Sequence, residues 1–391
     1  MRFTLTTHRK VNVKGFGLFL ILLTASMTAC KSSLEEDLAP SEPQIATSGD
    51  RQMATYISTS LNFVKGYTLK GSFSFPVGTA IVKERLDEPA YSSLLLKDFN
   101  SITSESNMVF KSVHPEKDTW TFTKADAVVN YALKHKIRIH GQTLLYPKDS
   151  MMPKFVKEFK GDKAAWKKLM QTHIRTVAAR YKGKVLAWDV LNEAIEDNGQ
   201  LRDNIWLRKI GEEYISLAYK YAHEADPNAK LFYNDYGQEY SVRKMAKILD
   251  FVKSAKRAGI PIHGLSFQMH TVLRVDVNKV RDMLAKAAAT GLQVYISELD
   301  VSVRYQKPDT FVLDAALAAA QGSKVKSIVQ AYMTTVPKKQ QYGITIWGIA
   351  DCDSFWNVKY KDRNHDYPTL FDNNYNPKPA YRGFVEAGSG K

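Results

Sequence analysis

The sequence predicts a single (β/α)8 barrel, and three observations carry that expectation. The chain has 391 residues, 44% hydrophobic and 24% charged, which is enough to bury a large core. From Phe75 to Ala387 it alternates strand-like and helix-like segments, eight pairs in sequence, and nothing in that order divides it into two domains. Two of the strand-like runs, Val185 to Leu191 and Val294 to Asp300, lead into or contain a glutamate, Glu193 and Glu298. Parallel strands of one barrel would deliver both to the same face.

Taken in order, Phe75 to Ile81 is the first strand and Asp87 to Leu96 its helix. Phe99 to Ser104 is the second, followed by Lys124 to Lys136, where Ala127, Val128, Tyr131 and Ala132 share one helical face. Ile137 to Leu145 and Lys163 to Lys182 make the third pair, and the run ending at Glu193 with Asn204 to Glu224 makes the fourth. Lys230 to Asp235 precedes the helix Val242 to Arg257, and Ile262 to Met269 precedes Val277 to Thr290. The run through Glu298 is followed by Phe311 to Thr335, and Gly343 to Ile349 by Lys378 to Ala387. No internal repeat beyond this alternation and no low-complexity tract is visible.

Residues 1–29 read as a leader to be set aside. Arg2, Arg9, Lys10 and Lys14 form a basic start, Phe16 to Leu23 an apolar stretch too short to span a bilayer, and Met27-Thr28-Ala29 leads into Cys30. This pattern resembles a bacterial lipoprotein signal, with Cys30 as the lipidated residue and a membrane as partner at the outer membrane or cell surface. Residues 30–67, rich in Ser, Glu, Asp, Pro and Ala, read as a tether, with a helix expected at Gln52 to Val64. Residues 68–391 are the catalytic domain. The formal charge of +15 remains strongly basic without the leader. Its Lys and Arg residues are spread through the helices, and no basic stretch is interleaved with aromatics, which argues against nucleic acid as a partner.

The strand ends supply a consistent chemistry. Beside Glu193 and Glu298 they carry Glu105, Gln142 with Tyr146, Asn192, Asn234-Asp235-Tyr236, Gln268 with His270, and Trp347 with Asp351. Amides and carboxylates bond sugar hydroxyls directionally, and aromatic rings cover the apolar faces of pyranose rings. Each residue alone has a plainer role as a helix cap, solvated charge or core aromatic. Their convergence on one barrel face is what points to glycoside hydrolysis. A retaining route needs one carboxyl group to protonate the leaving oxygen and a second, roughly 5 to 5.5 Å away, to attack the anomeric carbon.

Seven motifs in order resemble glycoside hydrolase family 10, the retaining β-1,4-xylanase family. Trp188 to Ala194 is similar to W-D-V-x-N-E-A, and Asp197 to Arg202 follows as D-x-G-x-L-R. Tyr233 to Tyr236 resembles N-D-Y, Gln268-Met269-His270 resembles Q-x-H, and Ser297 to Asp300 resembles T-E-L-D. Phe99-Asn100 with Thr103 to Glu105, and Thr345 to Gly348 with Asp351, echo F-N-x-x-T-x-E-N and T-F-W-G-x-x-D. The resemblance implies Glu193 as acid/base, Glu298 as nucleophile, His270 oriented by Asp300 against Glu298, and Asn192 on the sugar 2-hydroxyl. It implies substrate contacts from Glu105, Gln142, Tyr146, Gln268, Trp347 and Phe355, and a cleft lined by Asn234 and Tyr236 on the leaving-group side. It implies a xylan or related β-glycan as partner, a monomer, and no metal or organic cofactor.

The departures fall on residues that grip the sugar on the non-reducing side of the cut. Ser106 follows Glu105 where the family has Asn, Val109 follows Met108 where it has Lys, and Gly141-Gln142-Thr143-Leu144-Leu145-Tyr146-Pro147 replaces G-H-x-L-x-W-H. Ser354-Phe355 replaces S-W, with Trp356 adjacent. A retaining endo-β-1,4-xylanase with reshaped minus subsites is therefore expected, with two alternatives: the same mechanism on another or unusually decorated β-glycoside, and a glycan-binding lipoprotein without catalysis.

Overall fold

The computed structural model describes residues 66–304, 311, 313–359 and 366–390, so Cys30, the leader, most of the tether and the expected helix at Gln52 to Val64 lie outside the described residues. Nine strands run through the described part: β1 (Val77–Ile81), β2 (Ser101–Ser104), β3 (Arg138–Leu145), β4 (Ala187–Asn192), β5 (Lys230–Asp235), β6 (Gly264–Phe267), β7 (His270–Val272), β8 (Gln293–Ser302) and β9 (Gln341–Ile346). All pair in parallel, in the order β6-β5-β4-β3-β2-β1-β9-β8-β7. The extra pairing of β6 with β8 closes a ring of eight, and β7 is a short ladder laid along the end of β8. The chain is the expected (β/α)8 barrel.

Two layers of core hold it. Phe232 on β5 lies 4.5 Å, ring to ring, from Tyr342 on β9, strands that are not neighbours, so this contact passes through the barrel. Tyr295 and Ala187 join them to fill the interior. Gly264 is required there, because a Cβ would sit 2.0 Å from Phe232. Outside the strands, a continuous apolar layer lies under the helices, including Trp166, Trp188 and Trp206, each nearly or fully buried. Asp162, Ser241, Asp276 and Asp314 cap four of these helices by accepting from backbone N–H groups that have no partner inside the helix.

Boundaries differ from expectation for local reasons. β1 begins at Val77 because Pro76 has no N–H to give a ladder. The sixth strand stops at Phe267, since Met269 takes a φ of +64°, and pairing resumes at His270. The segment Asn204 to Glu224 is two helices, Ile205–Ile210 and Glu213–Ala225, separated by Gly211 at φ +88°. The helix expected from Phe311 starts at Ala315, after the Asp314 cap. In the helix Thr123–His135 the buried face is Ala125, Val128, Val129 and Ala132. Tyr131 sits at its edge, where its hydroxyl meets Ser92 at 2.6 Å.

Asp351, expected among the strand-end sugar ligands, ties the carboxyl-terminal helix to the barrel instead. It is 2% exposed, and both its oxygens accept from Lys378 Nζ at 2.9 Å. Lys378 also donates to Tyr367 O at 2.7 Å. Replacing Lys378 by Met leaves a buried carboxylate without its counter-ion. The expected cost is about 3 to 5 kcal/mol of stability in urea unfolding, whereas a loss under about 1 kcal/mol, typical of an exposed pair, would show that the bridge is not buried in solution.

Candidate active site

A cleft of about 620 Å³ opens where the strands end. It is lined by Glu105, Gln142, Tyr146, Asn192, Glu193, Tyr236, Gln268, His270, Glu298, Trp347 and Phe355, which is every expected sugar-contacting residue but Asn234. Barrel geometry explains the convergence: each side chain comes from the last residues of a different parallel strand or from the turn just after it. The backbone keeps register there. Glu105 N–H donates to Ile81 O, Glu193 N–H to Asn234 O, Gln268 N–H to Asp235 O and Trp347 N–H to Leu299 O.

Glu298 is 4% exposed on β8. Its Oε1 accepts from Gln142 Nε2 at 2.9 Å and Asn234 Nδ2 at 2.8 Å, and its Oε2 faces His270 Nε2 at 3.1 Å. The other ring nitrogen of His270 lies 2.7 Å from Asp300 Oδ2. Burial alone would lower the His270 pKa, but the two flanking carboxylates outweigh it and raise it to about 10, so the ring is a cation at neutral pH. Trp356 Nε1 donates to the remaining oxygen of Asp300 at 3.2 Å. Phe355, 4.7 Å from the His270 ring, covers the same cluster.

Glu193 follows β4 in a left-handed conformation, φ +56°, uncommon for a residue with a side chain and suited to turning it off the strand end. Its Oε1 accepts from Gln268 Nε2 at 3.2 Å, and Arg202 reaches its backbone carbonyl at 2.7 Å and its Oε2 at 3.5 Å. Tyr146 hydrogen-bonds the same carboxyl group, and burial followed by that negative charge pushes the phenol well above its ordinary range. An amide chain joins the two glutamates. Gln268 also donates to Asn192 Oδ1 at 3.2 Å, Asn234 donates to that oxygen at 2.9 Å, and Asn234 bonds Glu298. With Oδ1 occupied twice, the NH2 of Asn192 is the part left for a ligand.

Asn234 does not line the cleft. It is fully buried beneath it and, with Ser297 Oγ donating to its Oδ1 at 2.7 Å, positions Asn192 and Glu298. Asp300 is likewise behind His270 and outside the cleft wall. Glu105 is half-buried, and burial followed by the charges of Asp353 and Glu298 raises it to about 7. Arg202, Lys148, Met151 and Tyr240 also line the cleft and were not expected there. Arg202 stands in the motif after Glu193, which is a usable signal; the other three lie on loops whose path depends on packing. Among the described residues, no cluster of His, Cys, Asp and Glu is arranged to hold a metal.

A barrel whose strand ends present two carboxyl groups, an anchored histidine and aromatic walls is the class of site that glycosidases use. Residues 67–387 match the family model "Glycosyl hydrolase family 10". The chain belongs to that family. It is 34% identical to endo-beta-1,4-xylanase Xyn10C of Cellvibrio japonicus over 80% of its own length, and spans 56% of that relative's. It is 35% identical to a beta-1,4-xylanase of Dictyoglomus thermophilum, over 80% of this chain and 88% of the relative. The native structure of xylanase 10C from Cellvibrio japonicus superposes with a TM-score of 0.79 at 33% identity, covering 83% of this chain and 73% of the other. Xylanase 10B from Thermotoga petrophila, solved in complex with xylobiose, superposes at 0.75 and 30% identity, over 82% of this chain and 96% of that one.

One buried acid next to the site has a measurable signature. Glu239 is fully buried with no hydrogen-bond partner at either carboxyl oxygen, and burial, opposed by its own N–H and by His270 and Lys244, raises it to about 7. A carboxyl whose folded pKa is raised contributes its full stability below the unfolded value and loses it as pH climbs to the folded one. Glu239→Gln should therefore match the wild type near pH 5 and exceed it above pH 7, by about 3 kcal/mol at most. Urea unfolding at the two pH values checks this, and a difference independent of pH would contradict it.

Proposed function

We propose that the protein is a retaining endo-β-1,4-xylanase acting on xylan. The observation that carries the reading is that Glu193 and Glu298 face one cleft and are joined by the Gln268, Asn192 and Asn234 amides, in a chain of a family whose similar members are named as xylanases. Glu193 as general acid gives its proton to the glycosidic oxygen while Glu298 attacks C1, so the C1–O bond breaks as an ester to Glu298 forms. Glu193 then takes a proton from water, the water oxygen attacks C1, and Glu298 leaves as carboxylate. His270, cationic between two acids, holds positive charge against the group that attacks as an anion. Asn192 offers its NH2 to the 2-hydroxyl, a contact that strengthens as positive charge builds on the ring.

A second reading keeps this mechanism and changes the glycan, to a decorated xylan or another β-glycoside. It is favoured by Gln142, Tyr146, Val109 and Phe355 in the cleft wall, all positions where this chain departs from the family pattern. Gln142 and Tyr146 bond the two glutamates themselves, so the substitutions alter the grip on sugar beside the reacting groups. The same proposal places the enzyme as a monomer on a lipid anchor at Cys30, at the outer membrane or cell surface.

The panel that separates these readings is plain xylan, glucuronoxylan, arabinoxylan and aryl β-glycosides. Glu298→Ala should abolish product release from whichever is used, and Glu193→Ala should cost about a hundred- to ten-thousandfold on natural linkages but far less in the glycosylation step with activated leaving groups. Equal loss on both substrate kinds would remove Glu193 as proton donor, and tight glycan binding without turnover in the wild type would make this a binding protein. Separately, Cys30→Ser should move the full chain from the membrane to the soluble fraction, and persistent membrane association would remove the lipid anchor.

A further inference from the structure

Gln142 is 6% exposed at the end of β3, beside the register shift that follows it in the pairing with β4. The following Thr143 is pinned by its hydroxyl to Asp189 O at 2.8 Å, so the strand end is fixed. The amide orientation follows from its neighbour. An ionised carboxylate only accepts, so the atom 2.9 Å from Glu298 Oε1 is the NH2 group. The carbonyl oxygen of the same amide is buried and has no hydrogen-bond partner, although the residue lines the cleft. Leaving a buried acceptor unmatched is costly unless a ligand supplies a donor.

The surroundings decide what kind of donor. Glu105 and Glu298, in the same cleft wall, are acceptors too, and position 109 presents valine rather than a cation. No protein donor in the described residues meets the Gln142 oxygen.

We infer that Gln142 is both a positioning residue for Glu298, through Nε2, and a specificity-determining acceptor, through Oε1, for one sugar hydroxyl that must be unsubstituted. This rests on the proposed role of Glu298 as nucleophile. A hydroxyl carrying an ether or ester substituent has no proton to donate and would leave Oε1 unmatched. The site therefore selects a bare hydroxyl on the sugar bound next to Glu298, and a substituent there blocks productive binding even where space allows it.

The test uses aryl β-xylobiosides in which the 2- and 3-hydroxyls of the reacting sugar are replaced in turn by hydrogen or O-methyl. Gln142→Leu should lower kcat/KM on the parent compound about ten- to a hundredfold, the size of a hydrogen bond to a charged group, with kcat carrying most of the loss. One of the altered positions should cost the wild type about tenfold and cost Gln142→Leu nothing further. Gln142→Glu keeps the shape but donates to Glu298 only when protonated, so its kcat should fall as pH rises where the wild type stays level. A packing role alone would not produce that limb. An unchanged kcat in Gln142→Leu, equal losses for every altered sugar in both proteins, or matching pH profiles for wild type and Gln142→Glu would overturn the inference. A wild type that turns over no xyloside sinks the proposed function and this inference with it, whereas wild-type turnover with an indifferent Gln142→Leu sinks the inference alone.

Discussion

A carboxylate with 4% of its surface exposed sets the terms for this site. Moving an ionised group out of water is expensive unless donors replace its hydration, and hydrogen bonds to a charge recover about 1.5 to 3 kcal/mol each. Glu298 on β8 draws them from β3, β5 and β7, through Gln142, Asn234 and His270. No two of those partners are adjacent in sequence. The closing of β6 on β8 and of β1 on β9 is thus the condition for Glu298 to be buried and charged together.

Behind this contact lies a layer that touches no cleft surface yet fixes what the cleft presents. Asp300 holds His270, Trp356 holds Asp300, and Ser297 and Asn234 hold the Asn192 amide in one orientation. Lys244, fully buried, neutralises Asp235 at 2.8 Å and lies 3.4 Å from the centre of the Tyr236 ring, which sets that wall. Such supports leave little freedom to the reacting groups, and pre-organisation of this kind is how an enzyme avoids reorganising charge during reaction.

The departures from the family pattern also become physical here. Gln142 and Tyr146 each bond one of the two glutamates, Gln142 to Glu298 and Tyr146 to Glu193. Phe355 packs on His270, and the adjacent Trp356 contributes an indole N–H to Asp300. The shift from Trp to Phe at 355 is therefore accompanied by an indole one residue on that serves the histidine's partner rather than the sugar.

Alternation of strand and helix patterns, the acid-ended runs at Glu193 and Glu298, and the motifs around them were readable in the chain because hydrophobic period and strand-end chemistry are local properties. So were most cleft residues, since a parallel barrel sends every strand end to one face. The sequence could not distinguish a strand-end polar group that reaches the cleft from one that turns under it. Asn234 and Asp351 look like sugar ligands in the chain, yet the first is a buried strut for Glu298 and the second a counter-ion for Lys378. Nor could it place Lys148 and Tyr240 in the wall, or leave the Gln142 carbonyl oxygen without a partner. Which donor meets which acceptor is set by distances between strands far apart in sequence, and only the closed barrel fixes those distances.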